Sequence, residues 1–192
     1  MYKKIIIIAG YLASGKSTFA LRLSKEVNVP YFVKDTLKSA ICTSIPITNR
    51  EDGRRFSAAT FDAIAYVAER LMETGYPLII EGNFVMGGYM KLNEGETIRQ
   101  LIEKYGYKSL TYIFWGDTRV MCDRFNEREN LPERGQSNQV FSVLSYEDSE
   151  KWLPPLGDFT VGGKIVKVDT TDFAVVDYQE LFNTARKFME SE

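Results

Sequence analysis

Histidine is missing from all 192 residues of this chain. Its absence excludes Ser-His-Asp and Cys-His nucleophilic machinery and every His-ligated metal site. Cysteine occurs only at Cys42 and Cys122. Two distant thiols make neither a zinc framework nor a disulfide scaffold, and the expectation is a pair of reduced, structural thiols in a cytoplasmic protein. No stretch approaches the roughly 20 apolar residues that span a bilayer, so no membrane partner is expected. Charge of one sign is not in excess either, since 24 Lys and Arg stand against 26 Asp and Glu for a formal net charge of −2. That balance speaks against gripping nucleic acid by bulk charge, without excluding it, and leaves room for a local basic pocket around a phosphate. Repeats, low-complexity tracts and disordered linkers are also lacking. What remains is a chain with 44% hydrophobic and 13% aromatic residues, enough for a core in a single domain over residues 1–192.

Strand and helix signals alternate. Residues 3–9 form a near-continuous β-branched run, as expected of a strand buried on both faces. Helical spacing follows from Lys16 to Val27, with Phe19, Ala20, Leu23 and Val27 on one face. A second strand is predicted over Tyr31 to Lys34, ending at Asp35, then a short helix over 36–42. Pro46 to Arg55 reads as a polar, turn-rich stretch, and Ser57 to Thr74 as a long helix stopped at Gly75. Further strands are predicted at Leu78 to Ile80, Leu110 to Trp115 and Lys164 to Val168. Helices are predicted at Glu94 to Lys104, Thr118 to Glu129 and Val175 to Met189. Residues 130–160, with Pro132, Gly135, Pro154 and Pro155, read as irregular. Five strands separated by helices imply a parallel sheet covered on both faces. Ligands bind such sheets beyond the carboxyl ends of the strands. Asp35, Glu81, Asn83, Asp117 and Asp169 should therefore line one rim.

Residues 5–18 read IIIIAGYLASGKST. Lys3 and Lys4 ahead of an apolar run imitate the start of a secretory signal, with Ala9 to Ser14 as a cleavage-like region. A stricter pattern covers the same residues. Gly10 to Ser17 fits Gly-x4-Gly-Lys-Ser/Thr, after a strand and opening a helix, which is the context a phosphate-binding loop requires. The glycines let the backbone curl so that successive N–H groups point inward, and the helix N-terminus adds partial positive charge. Lys16 can reach the β- and γ-phosphates, and the Ser17 hydroxyl can take a place on Mg²⁺. Gly10, Ala13, Ser14, Gly15, Lys16, Ser17 and Thr18 are thus the candidate nucleotide-binding residues.

The GTPase signatures Asp-x-x-Gly and Asn-Lys-x-Asp do not occur, and the chain is short for a motor or transport ATPase. A small phosphotransferase is the remaining common use. Asp35 could accept a proton from a substrate hydroxyl and share in metal binding, or serve as an N-cap for the helix after it. Lys38, one turn on, could bind substrate or be a solvated lysine. Glu81 could hold a metal-bound water or a substrate hydroxyl, and Asn83 could orient substrate or mark a turn. Metal duty is open among Ser17, Asp35 and Glu81. Arg124 and Arg128 share a helix face and could clamp a transferring phosphoryl group, or be a solvated face paired with interleaved carboxylates. With Arg119 and Arg134 they suggest a lid over about 118–137 that excludes water.

The phosphate loop at 10–17, VKDTLK at 33–38, IIEGNF at 79–84, RFNER at 124–128 and VDTTD at 168–172 appear in an order that resembles the small ATP-dependent P-loop kinases. The nearest likeness is to the group with chloramphenicol phosphotransferase, zeta-toxin kinases and polynucleotide 5′-kinase, with shikimate and gluconate kinases further off. The resemblance implies an α/β fold of three layers, a five-stranded parallel sheet in order 2-3-1-4-5, helices on both faces and an arginine-bearing lid. It also implies ATP and Mg²⁺ as cofactors, and transfer of the γ-phosphoryl to a hydroxyl of a small molecule. By position, Lys16 and Ser17 match the phosphate and Mg²⁺ residues, Asp35 the general base, and Arg124 and Arg128 the lid arginines. Asp169 to Asp172 match the segment bordering the adenine, which adds Arg124, Asp169 and Thr170 to the nucleotide set. Asp35, Lys38, Glu81 and Asn83 form the candidate acceptor site. Relatives often carry a histidine beyond the lid arginines, where this chain has Arg134-Gly135-Gln136. A nucleoside, nucleotide or polynucleotide-end kinase and a nucleotide-binding regulator with little turnover are the alternatives.

Overall fold

A computed structural model describes residues 3–84, 93–129 and 143–191. The part of the expected lid beyond residue 129, with Arg134, lies outside the described residues. Five strands form one sheet: β1 (Lys4–Gly10), β2 (Tyr31–Val33), β3 (Leu78–Glu81), β4 (Lys108–Trp115) and β5 (Lys164–Asp169). Their order is β2-β3-β1-β4-β5, and every neighbouring pair is parallel. The helices are α1 (Lys16–Val27), α2 (Lys34–Cys42), α3 (Arg50–Glu73), α4 (Glu94–Tyr105), α5 (Thr118–Glu129), α6 (Tyr146–Trp152) and α7 (Tyr178–Glu190).

All seven residues of β1 are buried, which is why the isoleucine run shows no polar alternation. Ile5, Ile7 and Ala9 point into a core with Phe61, Ile64, Ala68 and Met72 of α3 and Ile98 and Ile102 of α4. Ile6 and Ile8 point the other way, onto Phe19, Ala20 and Leu23 of α1 and Phe182 and Ala185 of α7. Each isoleucine, leucine, phenylalanine or methionine among them contributes about 1.5–3 kcal/mol when taken from water. The Phe19 and Phe182 rings stack with centroids 5.5 Å apart and planes 4° from parallel. The segment that imitated a signal peptide is thus the middle of the sheet. Both cysteines are free and buried. No helix among the described residues is long and apolar enough to cross a membrane.

Several boundaries differ from the sequence expectation, each for a local reason. The helix after β2 starts at Lys34, so Asp35 is its second residue and not the end of a strand. β2 has only three residues, and its last, Val33, is already the extended N-cap. α3 starts at Arg50 and not Ser57, because Asn49 Oδ1 accepts a hydrogen bond from the Asp52 N–H at 2.9 Å and acidic residues fill the first turn. The supposed irregular tract 130–160 contains α6, capped by Ser145 through a 3.0 Å bond from the Asp148 N–H. A 3₁₀ turn over Pro154–Asp158 follows. Proline is tolerated where a helix begins, since no N–H is needed there. The closing helix starts at Tyr178, capped by Asp177, after a separate turn over Phe173–Val175.

Candidate active site

The chain leaves β1 at Gly10, which has φ +121°, and a Cβ there would lie 2.0 Å from the Phe114 carbonyl oxygen. Only glycine fits so close to β4. The Tyr11 N–H then donates to that same oxygen at 2.8 Å. Ala13 and Gly15 both take the left-handed conformation, with φ +53° and +84°. This turns the loop into a cradle of inward N–H groups. Gly15 is the N-cap of α1, and no side chain caps it. The first-turn amides are left for another acceptor. Ser14 Oγ donates to the Tyr11 carbonyl at 2.7 Å. Buried Lys16 lies along the loop, its Nζ donating to the same Tyr11 carbonyl and 3.5 Å from Ser14 Oγ. Burial pulls the Lys16 ammonium below its usual pKa, while Glu81 and Asp35 oppose the shift.

Residues 12–18 of the loop form one wall of a cavity, and Asp35, Glu81, Asn83 and Arg128 complete it. Four elements far apart in sequence meet there because parallel strands all end on the same edge. Glu81 is the last residue of β3 and 4% exposed. Its Oε2 accepts from Ser17 Oγ at 3.0 Å. Burial pushes the Glu81 carboxyl up to about 7, with Lys16 pulling it down and Asp35 pushing it further up. Asn83 Oδ1 is buried with no hydrogen-bond partner among the described residues. Arg128 adds positive charge that is felt at both Lys16 and Glu81.

The donor set suits a hard cation. Ser17, Glu81 and Asp35 offer only oxygen, and magnesium uses one or two carboxylates together with phosphate oxygens and water. No cluster of three or more metal-binding side chains occurs among the described residues.

Other expected site residues lie elsewhere. Lys38 does not line the cavity; burial lowers its pKa, and Asp35 and Cys42 oppose this. Arg124, one turn before Arg128, points to a different place. Its guanidinium donates to the Thr170 and Thr171 carbonyls at 2.6 and 2.7 Å. It also lies 4.0 Å from the centroid of the Phe173 ring. Asp169 Oδ1 accepts from the Thr171 N–H at 2.9 Å, and buried Thr170 donates through N–H and Oγ1 to the Trp115 carbonyl. Asp117 caps α5 through bonds from the Arg119 and Val120 N–H groups. Of the five rim residues, Asp35, Glu81 and Asn83 meet in the cavity, whereas Asp117 and Asp169 shape the backbone beside it. Sequence reasoning missed Phe173. Its ring lies where a Cβ on Gly15 would come within 3.1 Å, so it bridges the phosphate loop and Arg124. Its only sequence signal was an aromatic directly after VDTTD.

No protein-family model matches the sequence, and the search of curated proteins finds no match. Solved structures do resemble it. A "putative kinase" from Chloroflexus aurantiacus J-10-fl is 22% identical, covering 97% of this chain and 98% of its own, with a TM-score of 0.84. A gluconokinase from Sinorhizobium meliloti 1021 is 17% identical over 99% of both chains, with a TM-score of 0.53. Shikimate kinase from Acinetobacter baumannii, solved with shikimate, is 11% identical over 98% of this chain and 93% of its own, with a TM-score of 0.54. At these identities the likeness is one of architecture: the protein has the P-loop kinase fold, an α/β sandwich around a parallel sheet in the order 2-3-1-4-5.

Proposed function

We propose that this protein is an ATP-dependent phosphotransferase that moves the γ-phosphoryl of Mg-ATP to a hydroxyl of a small molecule in the cytoplasm. The observation that carries this reading is the meeting of the uncapped phosphate loop, Lys16, the Ser17–Glu81 pair, Asp35 and Arg128 in one cavity. The loop amides and Lys16 hold the β- and γ-phosphates. Ser17 would hold Mg²⁺, with Glu81 or Asp35 orienting it, and the chemistry supplied there would be compensation of charge on the transferring phosphoryl group. Asp35 accepts the proton of the attacking hydroxyl, Asn83 orients the acceptor, and Arg128 stabilises the equatorial oxygens. Arg124, Phe173 and the 169–171 loop border the base, and α5 begins the lid. Solved kinases of the same fold support a phosphotransferase reading in general.

The test is a screen for γ-phosphate transfer across sugars, sugar acids, antibiotics, nucleosides and 5′-hydroxyl oligonucleotides. Transfer to a small alcohol, abolished in Lys16→Ala, is expected. Transfer to nucleosides or oligonucleotide ends alone would move the assignment to a nucleic-acid-precursor kinase. No transfer beyond water, with Lys16→Ala indistinguishable from the natural protein, would overturn it.

A further inference from the structure

Lys34 and Glu94 form a buried ion pair beside the cavity, and the chemistry proposed above has no use for it. Lys34 is the first residue of α2 and Glu94 the first of α4. Their side chains are 6% and 3% exposed, and Lys34 Nζ donates to Glu94 Oε1. To reach its partner the lysine stem crosses the end of β3. A Cβ on Gly82 would come within 3.1 Å of Lys34 Cβ and of the Phe84 ring, so glycine leaves the path open. The ammonium lies 5.7 Å from the centroid of the Phe61 ring, and Phe61 meets Phe84 edge-on at 6.2 Å.

This placement breaks two local rules. A cation in the first turn opposes the helix dipole, and the N-cap of α2, Val33, supplies no side-chain hydrogen bond. An ion pair this deep is also a poor source of stability, since apolar side chains of similar volume do as well or better. Natural sequences break local rules at working sites. What the pair holds is position. Lys34 immediately precedes Asp35, while Gly82 and Phe84 flank Asn83, and both Asp35 and Asn83 line the cavity.

We propose that the Lys34–Glu94 pair is a positioning strap for the phosphoryl acceptor. By tying the start of α2 to the start of α4 across the end of β3, it fixes Asp35 relative to Asn83. It thereby governs acceptor KM and transfer rate without touching substrate. The inference rests on the phosphotransferase reading.

The decisive variant is Lys34→Met with Glu94→Met, which removes both charges of the pair together. Three results are expected. The thermal midpoint is unchanged or higher. Mg-ATP affinity stays within about twofold, while kcat/KM for the acceptor falls by about tenfold or more, chiefly in acceptor KM. Amide hydrogen exchange over residues 34–38 and 82–84 rises by about tenfold, while β1 and β4 keep their protection. The acceptor used is the best of D-gluconate, shikimate, ribose, glycerol, adenosine and an aminocyclitol antibiotic. The exchange measurement needs no acceptor. Gly82→Ala, which crowds the lysine stem, should shift the same quantities in the same direction by less.

Unchanged exchange or unchanged acceptor kinetics in the double variant would overturn the strap and leave the phosphotransferase reading standing. A lower thermal midpoint with parallel loss of Mg-ATP affinity would also overturn it, as the pair would then be structural. Failure of the natural protein to transfer to any alcohol, with Lys16→Ala no different, would sink the phosphotransferase reading by a separate route. Exchange would still judge whether the pair holds position.

Discussion

The phosphate side of the cavity is one continuous run, residues 12 to 18, whereas the side proposed for the acceptor is gathered from α2, the end of β3 and α5. The first is shaped by backbone conformation: left-handed residues at Ala13 and Gly15 and an unavoidable glycine at Gly10. The second is shaped by packing, and its members hold their places through contacts such as Ser17–Glu81 and Lys34–Glu94. The difference teaches where each function is vulnerable. Nucleotide binding should fail when local loop geometry fails. Acceptor use should fail when distant elements shift by fractions of an ångström, even with the loop untouched.

Variants can break that contrast or sharpen it. The largest effect is expected from Asp35→Asn, which should lower transfer by about 10²–10⁴-fold and change Mg-ATP affinity far less. Transfer kinetics beside calorimetric titration would check this, and an equal loss in both would erase the distinction between the sides. Lys16→Ala should cost about 10²–10³-fold in kcat/KM and weaken nucleotide binding as well, because it serves the phosphate side in both ground and transition states. Arg128→Ala should cost about 10²-fold, mainly in kcat, since Arg128 lines the cavity. Arg124→Ala should cost about tenfold, mainly in nucleotide KM, since its bonds run to the 170–171 carbonyls. If the two arginine variants shift the same constant, their separate placement has no functional meaning.

The smallest effect is a pH limb. Burial pushes the Glu81 carboxyl up to about 7 in the free protein; where Glu81 is the carboxylate that orients Mg²⁺ in the proposed reaction, it must be ionised. kcat/KM for Mg-ATP should therefore fall on the acid side, by about fourfold at pH 6.5 relative to its plateau. Glu81→Gln should abolish that limb. Stability runs with the opposite sign. The unfolded carboxyl ionises near its ordinary 4.5 and the folded one at about 7. Between these values the folded chain binds more protons, and raising the pH lowers stability. Denaturant titrations at pH 4.5 and pH 7 should show the loss, and Glu81→Gln should show less of it.

Much of the fold was legible because its signals are short in range. The unbroken isoleucine run marked a strand covered on both faces, and helical spacing marked α1 to the residue. Errors fell where a cap or a turn outweighed composition. Asn49 extended α3 backward through a polar tract, and Ser145 nucleated α6 inside a proline-rich one. In the site, the loop residues and the trio Asp35, Glu81 and Asn83 were legible because every parallel strand delivers its carboxyl end to one edge. Lys38 and Arg124 were harder, since a residue's place on a helix says which face it shares but not what that face meets.

By itself the sequence determined a central strand delivering the chain to a glycine-bearing loop that opens a helix, with acidic and amide side chains near the strand ends. Spacing, glycine conformation and hydrophobic periodicity carry that much, and all act over a few residues. Only the tertiary structure decided that Arg128 faces the cavity while Arg124 faces Phe173 and the 170–171 carbonyls. It also decided that Glu81 is buried enough to hold its proton near neutrality, and that Lys34 reaches across Gly82 to Glu94. Those outcomes depend on which surfaces are pressed together, and burial, desolvation and ion pairing come into being only when elements distant in the chain are packed.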